Sequence, residues 1–265
     1  MTFFGVALNW RQCFRILPGL ALVVCGAAHG TEPPRIAAAA DLRYALDEVV
    51  RVYQHNTGVT AKVTYGSSGN FFTQLRQGAP FDIFMSADET LVQALTTLKL
   101  TRDAGDLYAV GRIVLFVPHG VPIVADKHFT DLPQALEDGR LGKFAIANPT
   151  HAPYGRAARE ALHAAGLWAR LSGHLVLGEN VAQAAQFARS GAAQAGIIAL
   201  SLAVAPPFAN AGDYALIDTS QHQPLRQRMV LMRGVGEQAT DLYAYLKSPD
   251  ARAVLRRYGF TLPDQ

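Results

Sequence analysis

Cysteine is absent from everything beyond residue 25: Cys13 and Cys25 are the only two in the chain. A disulfide framework and thiol chemistry are thereby excluded for all that follows. Charge is scarce as well. Charged residues make up 17% of the 265, and once Arg11 and Arg15 are set aside, 22 basic residues face 21 acidic ones. So neutral a body has no electrostatic footprint for nucleic acid. Catalytic signatures are also missing. There is no Walker A loop, no G-x-G-x-x-G and no H-E-x-x-H, and His119, His128, His151 and His163 show no metal-type pairing. Gly66-Ser67-Ser68-Gly69 is not a nucleophile elbow, because G-x-S-x-G would need glycine at position 70, where the chain has Asn70.

What the first thirty residues do contain is a targeting pattern. Arg11 and Arg15 precede the apolar run Ile16 to Ala28, with no acidic residue among them. That run falls short of the roughly 20 residues needed to span a bilayer. Ala28-His29-Gly30 then places small residues where a signal peptidase reads them, so residues 1–30 are expected to be a cleaved secretory signal. Leu22-Val23-Val24-Cys25-Gly26 is a poor lipoprotein box, since Val24 is bulky, and cleavage is preferred to a lipid anchor at Cys25.

From Arg35 onward, short apolar strands alternate with helical stretches, the pattern of an α/β fold with mainly parallel strands. Strands are expected at Arg35–Ala40, Val59–Tyr65, Phe81–Met85, Ile113–Val117, Phe144–Ala147, Leu175–Leu177, Ala195–Leu200 and Met229–Met232. Leu42, Ala45, Leu46, Val49, Val50 and Tyr53 recur at helical spacing, and Gly58 closes that helix. Further helices are expected from Gly66-Ser67-Ser68-Gly69 to Gly78, over Arg156–Ala165, from Val181, and over Gln238–Leu246. No long linker divides the chain, which suits two lobes that share interleaved segments.

Four junctions stand out, each ending in small or turn-forming residues just before a helix: Ala39-Ala40-Asp41, Gly66-Ser67-Ser68-Gly69, Pro153-Tyr154-Gly155 and Glu179-Asn180-Val181. A helix N-terminus carries unpaired N–H groups and about half a unit of positive charge, so it holds an anion without a cationic side chain. Any one junction is explained by ordinary capping; four meeting in one cleft would form a cage of neutral donors. Asp82 and Asp88 read as cap and hinge groups, and no catalytic set of acid, base and nucleophile emerges. Asp41, between a strand and a helix, is expected to turn away from such a cage and cap its own helix.

Ala38-Ala39-Ala40-Asp41-Leu42, Tyr65-Gly66-Ser67-Ser68-Gly69 and Gln77 to Asp88 closely resemble the periplasmic molybdate-binding proteins. So do Ala147-Asn148-Pro149-Thr150-His151-Ala152-Pro153-Tyr154-Gly155, Gly178-Glu179-Asn180-Val181 and Arg257-Tyr258-Gly259-Phe260. The resemblance implies a two-lobed α/β binding protein of type II with its ligand cleft between the lobes. Lobe I would comprise 31–111 and 214–265, and lobe II 112–213. It places oxyanion contacts at Ala40, Asp41, Ser68, Tyr154 and Val181, and implies a monomer without cofactor or catalytic activity. Such a protein carries molybdate, and tungstate, through the periplasm to the transmembrane permease of an ABC importer. Some family members have Ser or Thr where this chain has Ala40-Asp41, and some use a tyrosine hydroxyl where it has Ala199; Tyr154 is placed to compensate. Receptors for sulfate or phosphate remain the alternative, phosphate because its proton wants an acceptor and Asp41 is one.

Overall fold

The structure, a computed structural model, describes residues 32–263. The expected signal segment, Cys25 and the cleavage point lie outside the described residues. In chain order the strands are β1 (Arg35–Ala39), β2 (Lys62–Gly66), β3 (Ile83–Ser86), β4 (Asp106–Gly111), β5 (Ile113–Pro118), β6 (Phe144–Ala147), β7 (Leu175–Gly178), β8 (Ala195–Ala199), β9 (Gly212–Leu216) and β10 (Leu225–Leu231). They form two five-stranded sheets, ordered β2-β1-β3-β10-β4 and β7-β6-β8-β5-β9.

Both sheets are mixed, yet four of the five strands in each run the same way, in keeping with the expectation of mainly parallel strands. β1 runs parallel to β2 and β3, and β6 parallel to β7 and β8. β10 opposes β3 and β4, and β5 opposes β8 and β9. The reason lies in the crossings. The chain passes from β4 through Arg112 into β5 and later comes back into β10, and β5 and β10, the first strands after each crossing, run against the βα units of the sheets they enter. The return is also later than expected. Residue 214 falls inside β9, where Tyr214 pairs with Phe116 and Ala215 with Leu115, so that segment belongs to the second sheet. The chain crosses back after Leu216.

Burial explains why these segments settle where they do. In β1, Ile36 and Ala38 face one side of the first sheet with Met85, Met229 and Leu231, under the helices Arg43–Thr57, Glu237–Leu246 and Pro249–Arg257. Ala37 faces the other side with Phe84 and Val230, under the helices Ser68–Arg76 and Glu89–Thr97. This two-residue alternation is the pleat of a strand covered on both faces. The helix Arg43–Thr57 buries Ala45, Leu46, Val49, Val50 and Tyr53, and ends at Gly58, whose φ of 74° puts it in the left-handed region favoured after a helix. The helix expected at Arg156 starts three residues earlier, at Pro153, a residue suited to the first turn because no N–H is required of it.

Candidate functional site

Where the two sheets face each other, four chain segments close around one small cavity. Ala39-Ala40-Asp41 follows β1, Gly66-Ser67-Ser68 follows β2, Ala152-Pro153-Tyr154 opens the helix Pro153–Ala164, and Asn180-Val181 opens the helix Val181–Arg189; Ala87 completes the lining. The first two segments and Ala87 belong to the first sheet's half, the other two to the second's. All five residues singled out from the sequence, Ala40, Asp41, Ser68, Tyr154 and Val181, lie on this wall. No lysine, arginine or histidine does. The centre of a water-sized sphere can roam over only about 10 Å³, room for a single small body. Wider depressions, such as one of about 340 Å³ bounded by Asp106, Lys247 and Arg252, gather no comparable set of helix starts.

The local chemistry at each start leaves particular donors over. Asn180 accepts from the N–H groups of Ala182 (3.0 Å) and Gln183 (3.1 Å), which leaves the Val181 N–H, the first of its helix, outside the cap. Ala152 caps the next helix without any side-chain bond, and Pro153 has no N–H, so Tyr154 carries its first amide donor. The two serines divide the roles. Ser67 Oγ caps its helix through Asn70 N–H (3.2 Å) and meets His151 Nδ1 (2.9 Å). Ser68, fully buried, accepts from Ala87 N–H at 2.9 Å, which turns its own hydroxyl hydrogen into a donor with no protein acceptor among the described residues. A cavity ringed by such donors is suited to a compact anion.

Asp41 is not the helix cap expected of it. It lies in the one-turn 3-10 segment Ala40–Leu42, and the helix that follows has no side-chain cap. Its Oδ2 accepts instead from the Tyr154 hydroxyl (2.8 Å) and from Gln227 Nε2 (2.6 Å). Gln227 Nε2 also donates to the Tyr154 oxygen (3.1 Å), while its Oε1 accepts from the Tyr108 hydroxyl (2.7 Å). The Tyr154 hydroxyl is therefore committed to Asp41 and does not stand in for a tyrosine at Ala199. Neither Gln227 nor Tyr108 is visible as a site residue in the sequence, because their partners lie far off in the chain.

Burial pushes the Asp41 carboxyl up to about 6, against the bonds from Gln227 and Tyr154 and the amides of Asp41 and Leu42, which lower it. Since the folded value lies above the usual 3.8, the contribution to stability is complete near pH 4 and is lost as pH rises through about 6. Asp41→Asn, which cannot ionise, is thus expected to match the wild type near pH 4 and to gain up to about 3 kcal/mol by about pH 7 without ligand. Denaturant unfolding of both proteins across that range measures the gain; a mutant no more stable at neutral pH would mean that the carboxylate is well compensated.

Direct bonds join the two halves around the cavity. Gly69 N–H donates to His151 O (3.0 Å), Ser201 Oγ to Asp41 O (2.7 Å), and Arg156 pairs with Asp88 (3.1 Å). Asp88 is also the expected cap, accepting from Thr90 N–H at 2.9 Å, whereas Asp82 accepts from Arg35 N–H and caps nothing. Gly69 is required at its contact: a Cβ there would sit 2.4 Å from His151 O.

Residues 34–261 match the family of bacterial extracellular solute-binding proteins. The molybdate-binding protein ModA of Rhodobacter capsulatus is 33% identical over 227 residues, covering 84% of this chain and 86% of that protein. Its namesake from Azotobacter vinelandii is 32% identical over 252 residues, 92% and 95% of the respective chains. The solved structure of the periplasmic molybdate-binding protein of Azotobacter vinelandii aligns with a TM-score of 0.78 at 26% identity, over 87% of this chain and 100% of that one.

Proposed function

The chain belongs to the bacterial extracellular solute-binding protein family, and we propose that its solute is molybdate, with tungstate as an equivalent cargo. In this reading the protein is exported to the periplasm, works as a monomer and hands its load to the transmembrane permease of an ABC importer. One observation carries the proposal: four helix starts and the Ser68 hydroxyl line one small cavity with no cationic side chain in its wall. Donors alone suit an anion that has lost every proton, and molybdate and tungstate are such anions at neutral pH. The similar proteins from Rhodobacter capsulatus and Azotobacter vinelandii support the choice.

The amides of Ala40, Asp41, Tyr154 and Val181 and the Ser68 hydroxyl are the proposed contacts. The first-sheet half offers Ala40, Asp41 and Ser68, and the anion binds there first. Closure then brings up Tyr154 and Val181, and the Gly69–His151 and Asp88–Arg156 links hold the closed form. The anion itself is neither transformed nor covalently attached in this cycle.

A panel of oxyanions tests the assignment by thermal unfolding. Molybdate and tungstate at micromolar concentration are expected to raise the melting temperature clearly, since a ligand at about a thousand times its Kd stabilises by about 4 kcal/mol. Sulfate and phosphate should shift it weakly or not at all. Equal shifts from either one would move the assignment to that anion.

A further inference from the structure

The two oxygens of Asp41 live in different surroundings. Oδ2 takes both hydrogen bonds, from the Tyr154 hydroxyl and Gln227 Nε2, whereas Oδ1 is buried without a partner. At the far end of this network Tyr108 donates to Gln227 Oε1, and the amide NH2 points at Asp41 and Tyr154. Every member is buried: Asp41 is 1% exposed and Gln227 fully covered. Asp41 also lines the cavity proposed for the anion.

We propose that Asp41 is a specificity-determining proton carrier: a fully deprotonated dianion is taken up together with one proton, which resides on Oδ1 while the anion is bound. This rests on the oxyanion reading above. The proton comes from solvent or buffer and forms the O–H bond at Oδ1, so the cavity meets its guest with a carboxyl donor in place of a carboxylate. Oδ2, already serving as acceptor twice, keeps that role in both states.

The surroundings leave the dianion's charge to be met in this way. From the helix Pro153–Ala164 Asp41 faces Tyr154, from β4 Tyr108, and from β10 Gln227; the Ser201 hydroxyl sits on its carbonyl. No lysine, arginine or histidine acts on the carboxyl. Burial and the Asp41 charge hold both tyrosines well above 10, so neither supplies the proton. Burial, set against the hydrogen bonds that lower it, already brings Asp41 to about 6, and a doubly negative neighbour favours the protonated form further. By linkage, an anion that favours the proton is itself favoured by it.

Calorimetric titration of the wild-type chain with molybdate, in two buffers of different ionisation enthalpy at about pH 7.5, counts the protons taken up; the expected number is close to one per anion. Affinity should weaken about tenfold for each unit of pH from about 6.5 to about 8.5. In Asp41→Asn the uptake should vanish and the affinity become independent of pH, exceeding wild type by about 100-fold near pH 8, two units above the value of about 6. Tight wild-type binding with no proton uptake and no pH dependence overturns the inference and leaves the molybdate reading standing. Uptake that survives in Asp41→Asn overturns it too, by placing the proton elsewhere. Absence of molybdate binding at every pH removes the functional reading, and this inference falls with it.

Discussion

Gly69→Ala is expected to weaken molybdate binding by more than about 100-fold while leaving the unliganded protein folded. The added methyl would sit 2.4 Å from the backbone oxygen of His151, a separation that neither helix Ser68–Arg76 nor the Asn148–Ala152 loop can absorb by turning a side chain. The two halves then stop short of contact, and the Gly69–His151 bond is lost with the approach of Tyr154 and Val181. Hydrogen bonds to a charged group contribute about 1.5–3 kcal/mol each, so losing two of them accounts for the expected factor. Alanine is at least as good a helix former as glycine, and the open protein has no reason to be less stable. Titration calorimetry gives the affinity, and a melting temperature without ligand gives the control. Wild-type affinity in the mutant would mean that binding does not need the halves this close.

A second substitution removes one atom group and little else. Val181→Pro deletes the amide hydrogen at the first position of its helix, where proline is favoured. Asn180, at φ −153° and ψ 174°, already has the extended backbone that a following proline demands, and its cap goes to Ala182 and Gln183. Affinity for molybdate should fall about 10- to 100-fold for the loss of one charge-assisted bond, with the melting temperature of the free protein little changed. Val181→Ala keeps the amide and serves as control. If both variants bind as the wild type does, the Val181 amide is no contact.

The cavity wall was readable from the sequence because its determinants are local. A small or turn-forming residue, a cap and an apolar helix succeed one another within a few positions at Gly66-Ser67-Ser68 and Asn180-Val181, and helix geometry dictates which N–H groups remain over. What surrounds Asp41 was not readable. Its partners Tyr154 and Gln227 are 113 and 186 positions away, and nothing in Leu225 to Leu231 marks Gln227 as other than one polar residue in a strand. The capping role expected for Asp41 followed from local preference, and distant donors overrode it. Among the strands, β4 and β9 escaped notice: each sits at a sheet edge, where half-covered positions blur the apolar alternation. Such strands are recruited by their neighbours more than by their own composition.

The placement of β10 between β3 and β4 also imposes an order in time. All strands of the second sheet come from the continuous stretch Ile113–Leu216, so that sheet can be completed from neighbouring segments of chain. The first sheet cannot: among the described residues β4 pairs with β10 and bridges Thr261, both of which are made more than a hundred positions later. Pairings of such long sequence separation form slowly, because a large loop must be closed before any contact repays it. Gln227 travels on that late strand. The half with the contiguous sheet is thus free to assemble early, and the buried network around Asp41 is among the last parts of the molecule to mature.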